Sequence, residues 1–199
     1  MRARRAEENR GRFVEAAIGL FLRDGWTPTT MSRVAATAGL SRPALYLHFD
    51  TKLSLLLACI DASLSDVPVR DRPDFQAMGT GTVRRRTEVA ARWLRKAYER
   101  AAAIQRVLDD AAAAAPEAER ARQRMEQRRH DEFAHACALV LGLPLAPDDP
   151  LVDEVWALGS RAMWFTFAER GWSADRWEAW FARVLREAVR AHRGRGRPG

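Results

Sequence analysis

Residues 29–49 read TTMSRVAATAGLSRPALYLHF, and within that span the chain starts one helix, stops it and starts another. Thr29 or Thr30 can cap the first, because a threonine hydroxyl accepts from an N–H that the first helical turn leaves without a partner. Met31, Val34, Ala35 and Ala38 then share a face, and Gly39 ends the helix in the left-handed conformation that costs glycine little. Ser41 can cap a second helix that has Arg42 and Pro43 in its first turn, where the N–H that proline lacks is not needed. Leu45 and Phe49 lie four apart and point inward, while Tyr46 and His48 lie off that face. A third helix is available just upstream. RFVEAAIGLFLRDG places Phe13, Ala17, Leu20 and Phe21 at the i, i+4, i+7, i+8 spacing of one buried stripe, and Gly25 closes it.

Two short helices joined by a glycine turn and packed on a third make a helix-turn-helix. In that motif the second helix enters the major groove and presents its N-terminal residues to base edges. Its start must be small, polar or flat, and Ser41, Arg42, Pro43 and Ala44 satisfy this. A generic helical hairpin would show the same turn, so the charge distribution matters. Residues 1–55 hold nine Lys/Arg and five Asp/Glu, a net of +4, whereas residues 56–192 hold 21 of each. The last seven residues, RGRGRPG, add +3. A basic excess on the segment that carries the motif is the footprint of a nucleic-acid partner. The composition is otherwise arginine-rich, with 31 Arg and two Lys, so charge by itself is weak support.

Downstream the pattern stays helical. DVPVRDRPDFQAMGTGT is a connection rich in Pro, Gly and Asp. Helices are expected over about 82–101, 103–114, 116–141, 150–170 and 173–192, with the GLPLAPDDP stretch as a break. The 150–170 segment carries Val155, Trp156, Leu158, Met163, Trp164, Phe165 and Phe167 all round its circumference, so it must be covered on two sides. The last helix places Trp177, Trp180, Phe181, Val184, Leu185 and Ala188 at spacings of 3 and 4. Two such neighbours suggest a four-helix interface with a symmetry mate, built from Trp164, Trp177, Trp180, Phe181, Val184 and Leu185.

Enzymatic signatures are missing. The sequence has no P-loop, dinucleotide glycine fingerprint or nucleophile elbow. His130 and His135 do not share a helix face well, and no second ligand pair accompanies Glu132 and His135, so neither a metal site nor another cofactor is expected. Cys59 and Cys137 are expected as reduced core residues of a cytoplasmic protein. No stretch approaches the roughly 18–20 apolar residues of a membrane span, and MRARRAEENRGR has no apolar region of a secretory signal.

Residues 13–57 resemble the DNA-binding domain of the TetR family of bacterial transcriptional regulators. The resemblance lies in the AA…LF…G-aromatic first helix, the TT opening of the second, AGLS at the turn, LY-x-HF in the third and a lysine opening the fourth. It implies an all-α homodimer of about nine helices with an N-terminal DNA-binding domain and a C-terminal domain for a small effector. The expected layout is a basic flexible arm over 1–9, a helix-turn-helix domain over 10–55, an effector-binding and dimerisation domain over 56–192, and a basic flexible tail over 193–199. The expected function is a repressor that binds a palindromic double-stranded operator and is released by a mostly apolar ligand. The competing class is a helical enzyme or interaction module whose N-terminus mimics the motif.

Carried over position by position, the resemblance assigns Thr29 and Thr30 to a phosphate at the second helix and Arg33 to the backbone. Ser41, Arg42, Pro43 and Ala44 fall at the recognition-helix start, and Tyr46, His48 and Lys52 match phosphate contacts, which position the protein without reading sequence. Pro43-Ala44 replaces the usual Gly-Thr pair, and Leu47 stands where a histidine or tyrosine is common. For an effector pocket the candidates are Trp93, Phe133, Cys137, Trp156, Met163 and Phe167, which are mostly large and apolar and suit a flat hydrophobic or cationic ligand.

Overall fold

The structure, a computed structural model, describes residues 2–64, 68–146 and 148–195 of the 199. Among these residues there are nine helices of five residues or more and no strand. They are α1 (Arg2–Asp24), α2 (Met31–Thr37), α3 (Arg42–Tyr46), α4 (Lys52–Leu64), α5 (Val83–Ala112), α6 (Pro116–Leu141), α7 (Pro150–Leu158), α8 (Arg161–Glu169) and α9 (Ala174–Arg195). The all-helical class and the helix number agree with the expectation. Among the described residues between α4 and α5 are single helical turns, Val69–Asp71, Pro73–Gln76 and Ala77–Gly79. The contacts group into two compact units, one of residues 1–66 and 100–124, the other of residues 67–99 and 125–199.

Three boundaries differ from the sequence expectation. First, residues 2–9 are not a flexible arm but the opening turns of α1, with Arg4 paired to Glu8 at 2.9 Å across i, i+4 and no breaker before Gly11. Met1, and residues 196–199 of the expected tail, lie outside the described residues; residues 193–195 continue α9. Second, the two helices expected over 82–114 are one, α5, because the alanine-rich joint at 101–103 contains nothing that stops a helix. Third, the helix expected over 150–170 is two. Gly159 is the C-cap of α7, and Ser160 starts α8 by accepting from the Met163 N–H at 3.3 Å. The break redirects the aromatic residues, so one helix need not bury its whole circumference.

In the first unit the core is Phe13, Ala17, Leu20 and Phe21 of α1 with Val34 and Ala35 of α2, Leu45 and Phe49, and Leu55, Leu56, Cys59 and Ile60 of α4. Leu53 and Leu57 are only half-buried, so the inward face of α4 is set by Leu55, Leu56, Cys59 and Ile60. Both cysteines are free and buried, and burial pushes each thiol up to about 12.

In the second unit, Trp177 of α9 is buried against Phe181, with which it stacks at 5.2 Å, and against Trp164, which meets it edge-on at 5.0 Å. Tyr98 of α5 is buried beside them and donates its hydroxyl to the carbonyl of Gly159. A Cβ on Gly159 would stand 2.8 Å from Phe133 and 3.0 Å from Phe181, so glycine lets the two rings close on the backbone.

Candidate nucleic-acid interface

The turn between α2 and α3 is fixed by three groups. Gly39 has φ +64, and its neighbour Leu40 donates to the Ala35 carbonyl at 3.0 Å, closing α2. The Ala38 carbonyl, left open by the end of that helix, accepts from the Arg12 guanidinium of α1 at 2.6 Å. Ser41 then caps α3 by accepting from the Ala44 N–H at 3.3 Å.

The residues assigned to DNA divide into exposed ones and ones with structural work. Thr30 is exposed and caps α2 by accepting from the Arg33 N–H at 3.2 Å. Thr29 is fully buried, and its hydroxyl donates to the Gly25 carbonyl at 2.8 Å, which holds the α1–α2 turn and leaves it no surface for a phosphate. Arg33 is half-exposed, yet its guanidinium is engaged by Asp24 at 2.7 Å and the Pro28 carbonyl at 2.8 Å. Arg23 and Arg33 together hold the Asp24 carboxyl below its ordinary range.

On α3, Arg42 lies over the Tyr46 ring at 5.6 Å and donates to its hydroxyl at 3.4 Å, while the ring keeps 40% of its surface exposed. Pro43 is exposed and Ala44 half-buried. His48 is half-buried, tilted against Phe13 and Phe49 at 6.0 and 6.3 Å. Lys52, the first residue of α4, donates its ammonium to the Trp26 carbonyl at 2.8 Å and sits 3.9 Å over that residue's ring. Partial burial lowers its pKa, and the group stays a cation at neutral pH.

Arg12, Asp24 and Trp26 were missed by the reading of the sequence. None carries a motif, because each acts on a backbone carbonyl or a side chain a helix away. The aromatic after Gly25 was noticed as a pattern, but its pairing with Lys52, 26 positions on, is visible only in the fold.

In the second unit the six pocket candidates fall into separate groups. Trp93 meets Phe75 edge-on at 5.1 Å, and Phe75 stacks on His135 at 5.8 Å. Phe133 and Trp156 flank the Arg129 guanidinium at 5.1 and 4.9 Å. Phe167 packs on Trp172 and Trp180 at 4.3 and 4.6 Å. Cys137 is buried, and Met163 lies in the first turn of α8. Glu126 pairs with both Arg129 at 2.9 Å and Arg161 at 3.0 Å. Of the residues assigned to a dimer seam, Trp177, Phe181 and Leu185 are buried in the chain's own core, while Trp164, Trp180 and Val184 are half-exposed.

Comparison with known proteins places this geometry. Residues 13–59 match the family of bacterial regulatory proteins, tetR family. SrpR of Pseudomonas putida, an HTH-type transcriptional regulator, is 35% identical over 73 residues, which are 37% of this chain and 34% of that protein. The chain thus spans about a third of the length of that relative. Over nearly the whole chain the fold is similar to two solved TetR-family structures. One, from Rhodococcus sp., has a TM-score of 0.67 at 18% identity and covers 92% of this chain and 99% of the other. The second, from Mesorhizobium loti MAFF303099, has a TM-score of 0.65 at 20% identity and covers 94% and 96%. Residues 13–59 thus match the DNA-binding segment of the tetR family, on a chain whose fold is similar to that of solved TetR-family structures.

Proposed function

We propose that this protein is a transcriptional regulator that binds a palindromic DNA operator as a homodimer and represses until a small apolar ligand releases it. The observation that carries the reading is the exposed face of the helix-turn-helix. Arg42 and Tyr46 project from α3, Thr30 stands at the start of α2, and the Lys52 ammonium is fixed at the start of α4. This is a set of cations and hydroxyls on rigid supports, suited to phosphates on either side of a groove-bound helix. Thr29 and Arg33 support that face from behind, Thr29 through the Gly25 carbonyl and Arg33 through Asp24. Footprinting the purified protein on DNA flanking its own gene tests the reading; absence of any protected palindrome at low salt refutes it.

The homodimer draws on the half-exposed Trp164, Trp180 and Val184, which remain open after Trp177, Phe181 and Leu185 have gone into the core. Trp180→Arg should yield monomers in sedimentation, with helical circular dichroism as the folding control, because Trp180 also packs on Phe167 within the chain. A monomeric wild type defeats the proposal. For the ligand, the aromatic side chains of the second unit support an apolar body. A cationic one does not fit near Phe133 and Trp156, whose rings already flank Arg129, with the Arg161 guanidinium on the same Glu126. Neutral or acidic apolar compounds should raise the melting temperature and weaken operator binding, and cationic dyes should not.

A further inference from the structure

Leu47 is the most exposed large apolar side chain described in the protein, with 85% of its surface open. It follows α3 directly, as the C-cap, with helical backbone angles, and its N–H donates to the Pro43 carbonyl at 3.3 Å. Pro43 and Leu47 are therefore one turn apart on the same side of the helix, both exposed. Beside them runs a second pair of the same spacing, Arg42 and Tyr46, joined by the guanidinium over the ring. The recognition helix thus shows two parallel edges, one cationic and aromatic, the other wholly apolar.

An isolated exposed leucine is common on a protein surface. Its position here is not neutral, because everything around it suits a polyanion while it offers no hydrogen bond. The alternatives for reading bases are few. The Ser41 oxygen accepts from the Ala44 N–H, Pro43 and Ala44 have no polar side-chain atom, and Leu45 is buried. Among residues 41–47, Arg42 is the charged donor that can address a guanine. Beyond Arg42 and the hydroxyls of Ser41 and Tyr46, the exposed side chains of this stretch, Pro43 and Leu47, are hydrocarbon. On the major-groove edge of DNA the apolar feature is the thymine 5-methyl group.

We infer that Pro43 and Leu47 form an apolar reader of thymine methyl groups, with Leu47 the specificity-determining residue. This rests on the DNA-binding function proposed above. Removing one methyl from such a contact costs about fourfold in affinity, the value of one buried methylene. Arg42 and Tyr46 would set the register alongside, and Lys52 would hold a phosphate whatever the sequence.

The test starts from a random-sequence duplex pool enriched on the wild-type full-length protein at fixed salt. Each thymine of the enriched site is then replaced singly by deoxyuridine, which lacks only the methyl, and affinity is measured by fluorescence anisotropy. The expected result is about a fourfold loss at one or two thymines and none elsewhere. Leu47→Ala should bind the thymine site more weakly by a similar factor and become indifferent to uracil at those positions. Its exposed position predicts an unchanged melting temperature, which serves as the folding control. Lys52→Ala should weaken thymine and uracil sites equally. Failure to enrich any sequence overturns the DNA-binding function and this inference with it. An enriched site indifferent to every uracil, or one whose uracil sensitivity survives in Leu47→Ala, overturns the role of Leu47 and leaves DNA binding standing.

Discussion

Replacing Gly39 by alanine should loosen the turn between α2 and α3 by an amount the structure specifies. At φ +64 an L side chain costs about 1–2 kcal/mol, because its Cβ crowds the following carbonyl. The added Cβ would also stand 3.2 Å from Nη2 of Arg12, the nitrogen that donates to the Ala38 carbonyl. That contact can be relieved only by shifting the hydrogen bond, so Arg12→Ala should absorb part of the cost in a double-mutant cycle. The assay is amide hydrogen exchange on the full chain. The reporting amides are those of Ala38 and Leu40, whose bonds to the Val34 and Ala35 carbonyls close α2. A loss of 1–2 kcal/mol corresponds to roughly 5- to 30-fold lower protection, confined to this motif if it opens locally. Gly39→Asn, a residue that visits the left-handed region more readily, should lose clearly less. If asparagine and alanine lose protection equally, or alanine loses none, the backbone argument is wrong.

Other expectations follow from single contacts. Lys52→Ala should lower the salt dependence of DNA binding by about one unit of slope and also reduce thermal stability, since the Trp26 carbonyl and ring lose their cation; an unchanged slope would remove Lys52 from the phosphates. Burial and the nearby Arg70 lower the His135 pKa, so the unfolded state binds its proton first. Stability from this group should be complete above about pH 6.5 and fall as pH drops below it, and His135→Gln should flatten that part of the urea-midpoint curve. With both thiols pushed up to about 12, Cys59 and Cys137 should resist a thiol reagent at pH 8 in the folded protein and react promptly in urea; rapid labelling of the native chain would contradict their burial.

What the sequence disclosed and what it hid divide along a physical line. Caps and stops were legible because they are local: Thr30, Gly39 and Ser41 act within four residues of themselves. The same logic applied at Gly159-Ser160, where a C-cap glycine precedes an N-cap serine, but the continuous aromatic run across it concealed the break. Long-range partners were not legible. Arg12 reaches the Ala38 carbonyl and Lys52 the Trp26 carbonyl, each 26 positions away, and no local pattern marks either pair. Likewise the spacing of Trp177, Trp180, Phe181 and Leu185 marks a buried helix face without saying whether this chain or a second copy buries it.

The basic excess of the N-terminal segment gains a sharper meaning from where its cations are held. Arg33 shares the single Asp24 carboxylate with Arg23, so one of their two charges is cancelled. Arg12 and Lys52 are different, because each is fixed by a neutral group, the Ala38 and Trp26 carbonyls. A carbonyl orients a cation without cancelling its charge, so these two side chains give up conformational freedom and keep their electrostatic reach. Arg10 over the Phe49 ring at 5.5 Å and Arg42 over Tyr46 follow the same rule, with an aromatic face as the neutral support. In the second unit some arginines meet carboxylates, Arg95 with Glu178 at 3.1 Å and Arg129 with Glu126 at 2.9 Å. Cations fixed on uncharged supports around the helix-turn-helix keep their charge, which is what a surface prepared for a polyanion requires.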